Sequence, residues 1–198
     1  MLRDSLPVQP GGETVAALDG VQRPEDKSFM VQALALAELG RGQTSPNPMV
    51  GAVVVSAEGV VVGTGYHQRA GEAHAEVVAL EAASSSARGG TLYCTLEPCG
   101  HQGRTGPCTE RIIEAGIQRV VVATVDPNRR VRGGGIDYLR ERGVHVVVGV
   151  RRSAAERLNV AFSTWITQSR PFVTMKVAVS LDGYIAGPDG EFDWIATD

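Results

Sequence analysis

Five valine-rich runs constrain this chain more than any other feature: residues 50–56, 60–66, 91–95, 119–125 and 144–150. Runs that stay apolar, rather than alternating with polar residues, suit a sheet covered on both faces. Helical patterns at 73–87, 107–115, 135–142 and 153–168 separate or follow them. A short turn at Glu58-Gly59 joins the first two runs and favours an antiparallel hairpin. The strand–helix alternation beyond it favours parallel crossovers. The reading is an α/β fold, a three-layer α/β/α sandwich with a mixed five-stranded sheet.

The flanks differ in character. Residues 1–25 are rich in Gly, Pro and polar residues without periodicity, and are expected to be a disordered tail. Phe29, Met30, Ala33, Leu34, Ala37 and Leu39 then recur at helical spacing up to Gly40. The loop TSPNP follows, stiffened by two prolines. A boundary falls near Arg170-Pro171, so that 26–169 forms the main domain. Beyond it, PFVTMKVAVSLDGYIA reads as a strand and turn. Residues 170–198 cannot bury a core of their own, so they read as the truncated beginning of a further domain, or as a strand that borrows a partner.

Charge and cysteine content narrow the function classes. A net charge of −3 with only 5% aromatic residues argues against nucleic acid, which calls for a basic surplus and stacking side chains. A small-molecule substrate is the better match. No apolar run approaches the roughly 20 residues that cross a bilayer, and no secretory signal pattern opens the chain, so a cytoplasmic setting without membrane contact is expected. The oligomeric state is left open, and a homo-oligomer is compatible with the sequence. Three cysteines, an odd number, favour reduced thiols or a metal over a disulfide framework.

Two of those cysteines belong to a chemical constellation. His74-Ala75-Glu76 opens a helix. In mid-helix, residues two apart diverge by about 200°, but in the first turn both can project past the helix end into one site. Glu97-Pro98-Cys99 follows a strand, and Pro107-Cys108 opens the next helix, where proline costs no hydrogen bond and the helix end favours thiolate. A His/Cys/Cys set suits one zinc ion and leaves an open position for water. Zinc lowers the pKa of such a water from 15.7 toward about 7. Glu76 beside it is the natural acid/base. Taken singly, an H-x-E or a lone cysteine is unremarkable; in this order, each at a strand–helix junction, they point to a hydrolytic metal site. Cys94 lies within a strand and reads as core.

This pattern resembles the zinc signature of nucleobase deaminases, a match that general accounts of that chemistry already describe. It departs from it in spacing: GHQGRTGP separates Cys99 from Cys108, where two residues are usual. That loop, with TSPNPMVGAVVV before it and VDPN after it, resembles the deaminase domain of the bifunctional riboflavin-biosynthesis deaminase/reductase, a cytidine-deaminase-like fold. RPFVTMKVAVSLDG resembles the opening of that family's reductase domain. Gly106 and Arg129 stand where prolines would be expected. The resemblance implies a substrate, 2,5-diamino-6-(5-phosphoribosylamino)pyrimidin-4-one, deaminated to the matching uracil. It also implies substrate contacts from Asn47, His67, His101, Arg104, Asp126 and Asn128, and NADPH only for a chain carrying the reductase domain.

Alternatives remain at this level. Another zinc deaminase, acting on cytidine, guanine or tRNA adenosine, would use the same metal set, although the long Cys-to-Cys loop and the acidic balance count against it. A non-catalytic zinc module would normally supply a fourth ligand. For His67 the residues alone suggest a solvent-facing strand end. Gly133-Gly134-Gly135 lacks the spacing of a phosphate-binding loop and reads as a loop-to-helix turn.

Overall fold

A strand with valine on both sides needs cover on both faces, and the chain supplies it with helices from before, between and after the strands. The computed structural model describes residues 20–100, 106–128, 131 and 133–191. The expected tail thus lies outside the described residues as far as residue 19, as do His101, Arg104, Arg129, Arg130 and Arg132.

The strands are β1 (Gly51–Val55), β2 (Val61–Tyr66), β3 (Thr91–Cys94), β4 (Arg119–Val122) and β5 (His145–Val148). They form one sheet in the order β2-β1-β3-β4-β5. β1 pairs antiparallel with both β2 and β3, while β3–β4 and β4–β5 are parallel. The sandwich with a mixed five-stranded sheet is therefore as read from the sequence.

Among the described residues, six α-helices complete the layers: α1 (Asp26–Glu38), α2 (Ala75–Ala83), α3 (Cys108–Glu114), α4 (Gly134–Glu141), α5 (Arg152–Leu158) and α6 (Val160–Gln168). Side chains alternate across the sheet. Ala52, Val54, Leu92, Val120 and Val122 pack with α2, α3 and α4 on one face. Val53, Val55, Tyr93, Val121 and Val147 pack with α1 and α5 on the other. Burying each such valine or leucine side chain is worth about 1.5–3 kcal/mol.

Glycine permits the close approach of β2 to α2. A Cβ on Gly63 would stand 2.2 Å from the Ala79 carbonyl, and one on Gly65 2.5 Å from that of Ala75. β2 and α2 thus pack backbone to backbone.

Two expectations are corrected. The helix predicted over 153–168 is two helices, α5 and α6, divided at Asn159. The strand predicted after residue 170 does not form: Val173, Met175, Val177 and Val179 are exposed and unpaired, because extended backbone becomes a strand only when a neighbour takes its hydrogen bonds. The turn that follows is present, with Gly183 N–H donating to the Ser180 carbonyl at 2.9 Å. The helix read over 73–87 is α2 followed by a 3-10 turn at Ser84–Ala87.

Candidate metal centre and substrate cavity

The topology sends four chain segments to one end of the sheet. Because β1 runs against β2 and β3, the loop entering β1 lies beside the loops leaving β2, β3 and β4. Ligand sites in open α/β sheets favour this carboxyl edge. Ladder bonds extend past the strands and hold the loops in place. His67 N–H reaches the Val50 carbonyl at 2.9 Å, Thr95 N–H that of Gly51 at 3.1 Å, and Glu97 N–H that of Thr124 at 3.0 Å.

His74 caps α2 in extended conformation, and Glu76 lies in the first turn. Both therefore reach past the helix end. Cys108 is the first residue of α3, after Pro107. His74 Nδ1 stands 3.1 Å from Cys108 Sγ and 3.5 Å from Cys99 Sγ, and the three candidate ligand atoms lie within 4.8 Å of one another. A tetrahedral zinc with ordinary bond lengths sets nitrogen and sulfur about 3.5 Å apart. The donors and their spacing therefore suit one zinc ion. The Cys108 N–H also donates to Cys99 Sγ at 3.3 Å.

The electrostatics follow from this crowding. The Cys108 side chain hydrogen-bonds Cys99 and holds its thiol down to about 4, with His74 and the Cys108 N–H adding to the effect. The same pairing pushes Cys108 up. The hydrogen bond that the His74 imidazole donates to Cys99 raises His74. Burial pushes the Glu76 carboxyl up to about 7, against the pull of the His74 charge. Cys94 is wholly buried, and burial pushes its thiol well up, as befits a core residue.

A cavity of about 380 Å³ opens onto this cluster, lined by Asn47, His67, His74, Glu76, Cys99, Asp126 and Asn128. Every described residue singled out from the sequence thus reaches one cavity, except Cys108, which lies buried behind it. His67 is only 3% exposed, so it is no solvent-facing strand end. Its Nδ1–H donates to the Ala73 carbonyl at 3.1 Å, which leaves Nε2 to accept from Asn47 Nδ2, also at 3.1 Å. The imidazole of His67 meets that of His74 edge-on, with ring centroids 5.7 Å apart.

Other residues have roles here that the sequence did not reveal. Phe162, Trp165 and Ile166 of α6 wall the cavity; their i, i+3, i+4 spacing was visible, but nothing local said which space that face would meet. Asn159 clamps the TSPNP loop, its Oδ1 accepting from Met49 N–H and its Nδ2 donating to the Met49 carbonyl, both at 2.8 Å. Glu97 is buried, and its carboxylate accepts main-chain N–H groups from Asp126, Gly133, Gly135 and Ile136. The glycine run therefore meets a protein carboxylate and turns into α4, as its spacing suggested.

A five-stranded mixed sheet with a His/Cys/Cys cluster and a buried glutamate at its carboxyl edge defines a zinc-deaminase type of site. The family model for the cytidine and deoxycytidylate deaminase zinc-binding region matches residues 23–124, and the chain belongs to that family. Among curated relatives, riboflavin biosynthesis protein RibD of Aquifex aeolicus is 54% identical over 88% of this chain and 49% of its own length. RibD of Escherichia coli is 47% identical over 87% of this chain and 47% of its own. A solved structure from Thermotoga maritima, a diaminohydroxyphosphoribosylaminopyrimidine deaminase/5-amino-6-(5-phosphoribosylamino)uracil reductase, superposes with a TM-score of 0.82 at 44% identity. It covers 87% of this chain and 50% of that one. The chain thus spans about half the length of the curated relatives it matches. No described helix is long and apolar enough to cross a membrane.

Proposed function

We propose that this chain deaminates 2,5-diamino-6-(5-phosphoribosylamino)pyrimidin-4-one by hydrolysis, giving 5-amino-6-(5-phosphoribosylamino)uracil and ammonia, as a small-molecule enzyme of the cytoplasm. The observation that carries the reading is the position of Glu76, buried at the end of α2 in one cavity with His74 and Cys99. His74, Cys99 and Cys108 would hold one zinc ion, which when bound supplies a Lewis acid that makes hydroxide available near neutral pH. The Glu76 carboxylate takes the proton of the attacking water and delivers it to the departing nitrogen. A C–O bond forms at the amino-bearing ring carbon, the C–N bond breaks, and ammonia leaves with that proton.

The remaining residues orient the ring. His67, fixed by Ala73, holds the Asn47 amide so that its oxygen and second N–H face the pyrimidine. Asp126 and Asn128 meet the ribose phosphate side. The resemblance adds His101 and Arg104 as substrate contacts, Arg104 as the phosphate's charge partner. The domain division belongs to this reading too: 26–169 is the deaminase, and 170–198 begins a reductase-like unit, the only part that would call on NADPH.

Ammonia release from the zinc-analysed protein tests the proposal, with the phosphoribosylated diaminopyrimidinone, cytidine and guanine as parallel substrates. Turnover of the first alone is expected. Turnover of cytidine or guanine in its place would discard the substrate, and silence on all three with zinc bound would discard the activity.

A further inference from the structure

The glycine run at the start of α4 has the makings of an anion cradle, yet its anion comes from the protein. Glu97 Oε2 accepts from Asp126 N–H at 3.1 Å and Gly133 N–H at 2.9 Å, while Oε1 accepts from Gly135 N–H at 3.1 Å and Ile136 N–H at 3.4 Å. Glu97 is 5% exposed, so each of these bonds is made largely out of water, where a lost acceptor is costly. A free phosphate is thereby kept from this helix end, whose N–H groups are already used.

From these contacts we propose that Glu97 is a positioning residue for the ribose phosphate side of the substrate, a role that rests on the deaminase reading above. It stands two residues before Cys99, and its own N–H donates to Thr124 of the loop leaving β4. Its carboxylate grips the next turn of that loop at Asp126, whose Oδ1 in turn accepts from Asn128 N–H at 2.7 Å. One side chain therefore sets the distance between the metal loop and both cavity-lining residues of the DPN segment.

The glycines serve the same junction. Gly133 has φ +81°, which other residues rarely adopt, and a Cβ on Gly135 would lie 1.9 Å from the Pro98 carbonyl. Only glycine lets α4 approach closely enough for its first N–H groups to reach Glu97.

The near-isosteric Glu97→Gln replaces one acceptor oxygen with an NH₂ that faces main-chain donors. The expected result is a KM raised roughly tenfold, the scale of one charge-assisted hydrogen bond, with kcat little changed and one zinc per chain retained. Amide exchange at Asp126, Gly133, Gly135 and Ile136 should quicken. Gly135→Ala, which disturbs the junction from the α4 side, should raise KM in the same direction and guards against a folding defect peculiar to position 97. If wild type is active and both variants hold zinc with unchanged KM, the positioning role is overturned and the deaminase reading stands. Loss of zinc or of kcat alone would likewise overturn it, by placing Glu97 with the metal loop only. A wild-type protein that binds zinc and releases no ammonia would overturn both.

Discussion

Asp26 shows what a single charged residue does outside the candidate site. It has no exposed surface, and its carboxylate accepts two bonds from the Arg119 guanidinium, one from Tyr93 O–H and one from Arg23 N–H. Burial alone would raise this carboxyl, but those donors and the Arg119 charge outweigh it and leave it below its ordinary value. A depressed carboxyl contributes stability above its unfolded pKa, near 3.9, and loses it as pH falls through the folded value. The Asp26 contribution to the urea midpoint, read as the difference between wild type and Asp26→Asn, should therefore hold steady from neutrality to about pH 4 and decline below it. Asp26→Asn should cost about 3 kcal/mol, since it strands the buried Arg119 charge. At the metal site, Glu76→Gln should cut ammonia release by about 10²–10⁴-fold with zinc content unchanged. Cys108→Ala should lower zinc content itself; a full complement in that variant would remove Cys108 from the ligand set.

At the scale of elements, the break between α5 and α6 matters more than either helix alone. Asn159 terminates one and starts the next, and its amide satisfies both main-chain groups of Met49. The loop that presents Asn47 and the helix that presents Trp165 are thus fastened by one side chain from 110 residues away. Asn159→Ala leaves two polar groups of Met49 without partners and should cost about 2 kcal/mol, read from urea unfolding, with a higher KM in the folded enzyme. The local sequence around 153–168 carries a helical period throughout. That period does not reveal that an asparagine will find a distant loop. Glu97 was likewise visible as part of a Glu-Pro-Cys signature, but its four donors come from segments 29 to 39 positions away. The His74/Cys99/Cys108 cluster was legible, by contrast, because each member sits at a strand–helix junction that marks itself in the sequence.

At the scale of the whole molecule, residues 170–191 are the least integrated stretch among the described residues. Val173, Met175 and Leu181 are exposed at 78%, 82% and 109%, an apolar stretch that favours association. Ending the chain at residue 169 should leave the melting temperature within about 2 °C, the scale of a change well under 1 kcal/mol, and reduce aggregation at high concentration. A large destabilisation would show that this segment packs on the domain. The sequence by itself determined the layers, the strand set, the hairpin and the metal-ligating types, because these follow from apolar period and junction chemistry within a few residues. Tertiary structure alone decided that β1 would lie between β2 and β3, bringing Asn47 into one cavity with Glu76. It also decided that α6 would wall the cavity, that His67 would be buried, and that residues 171–179 would stay unpaired. Each of these depends on a partner distant in the chain, and a hydrogen bond or packed surface exists only once the fold has delivered that partner.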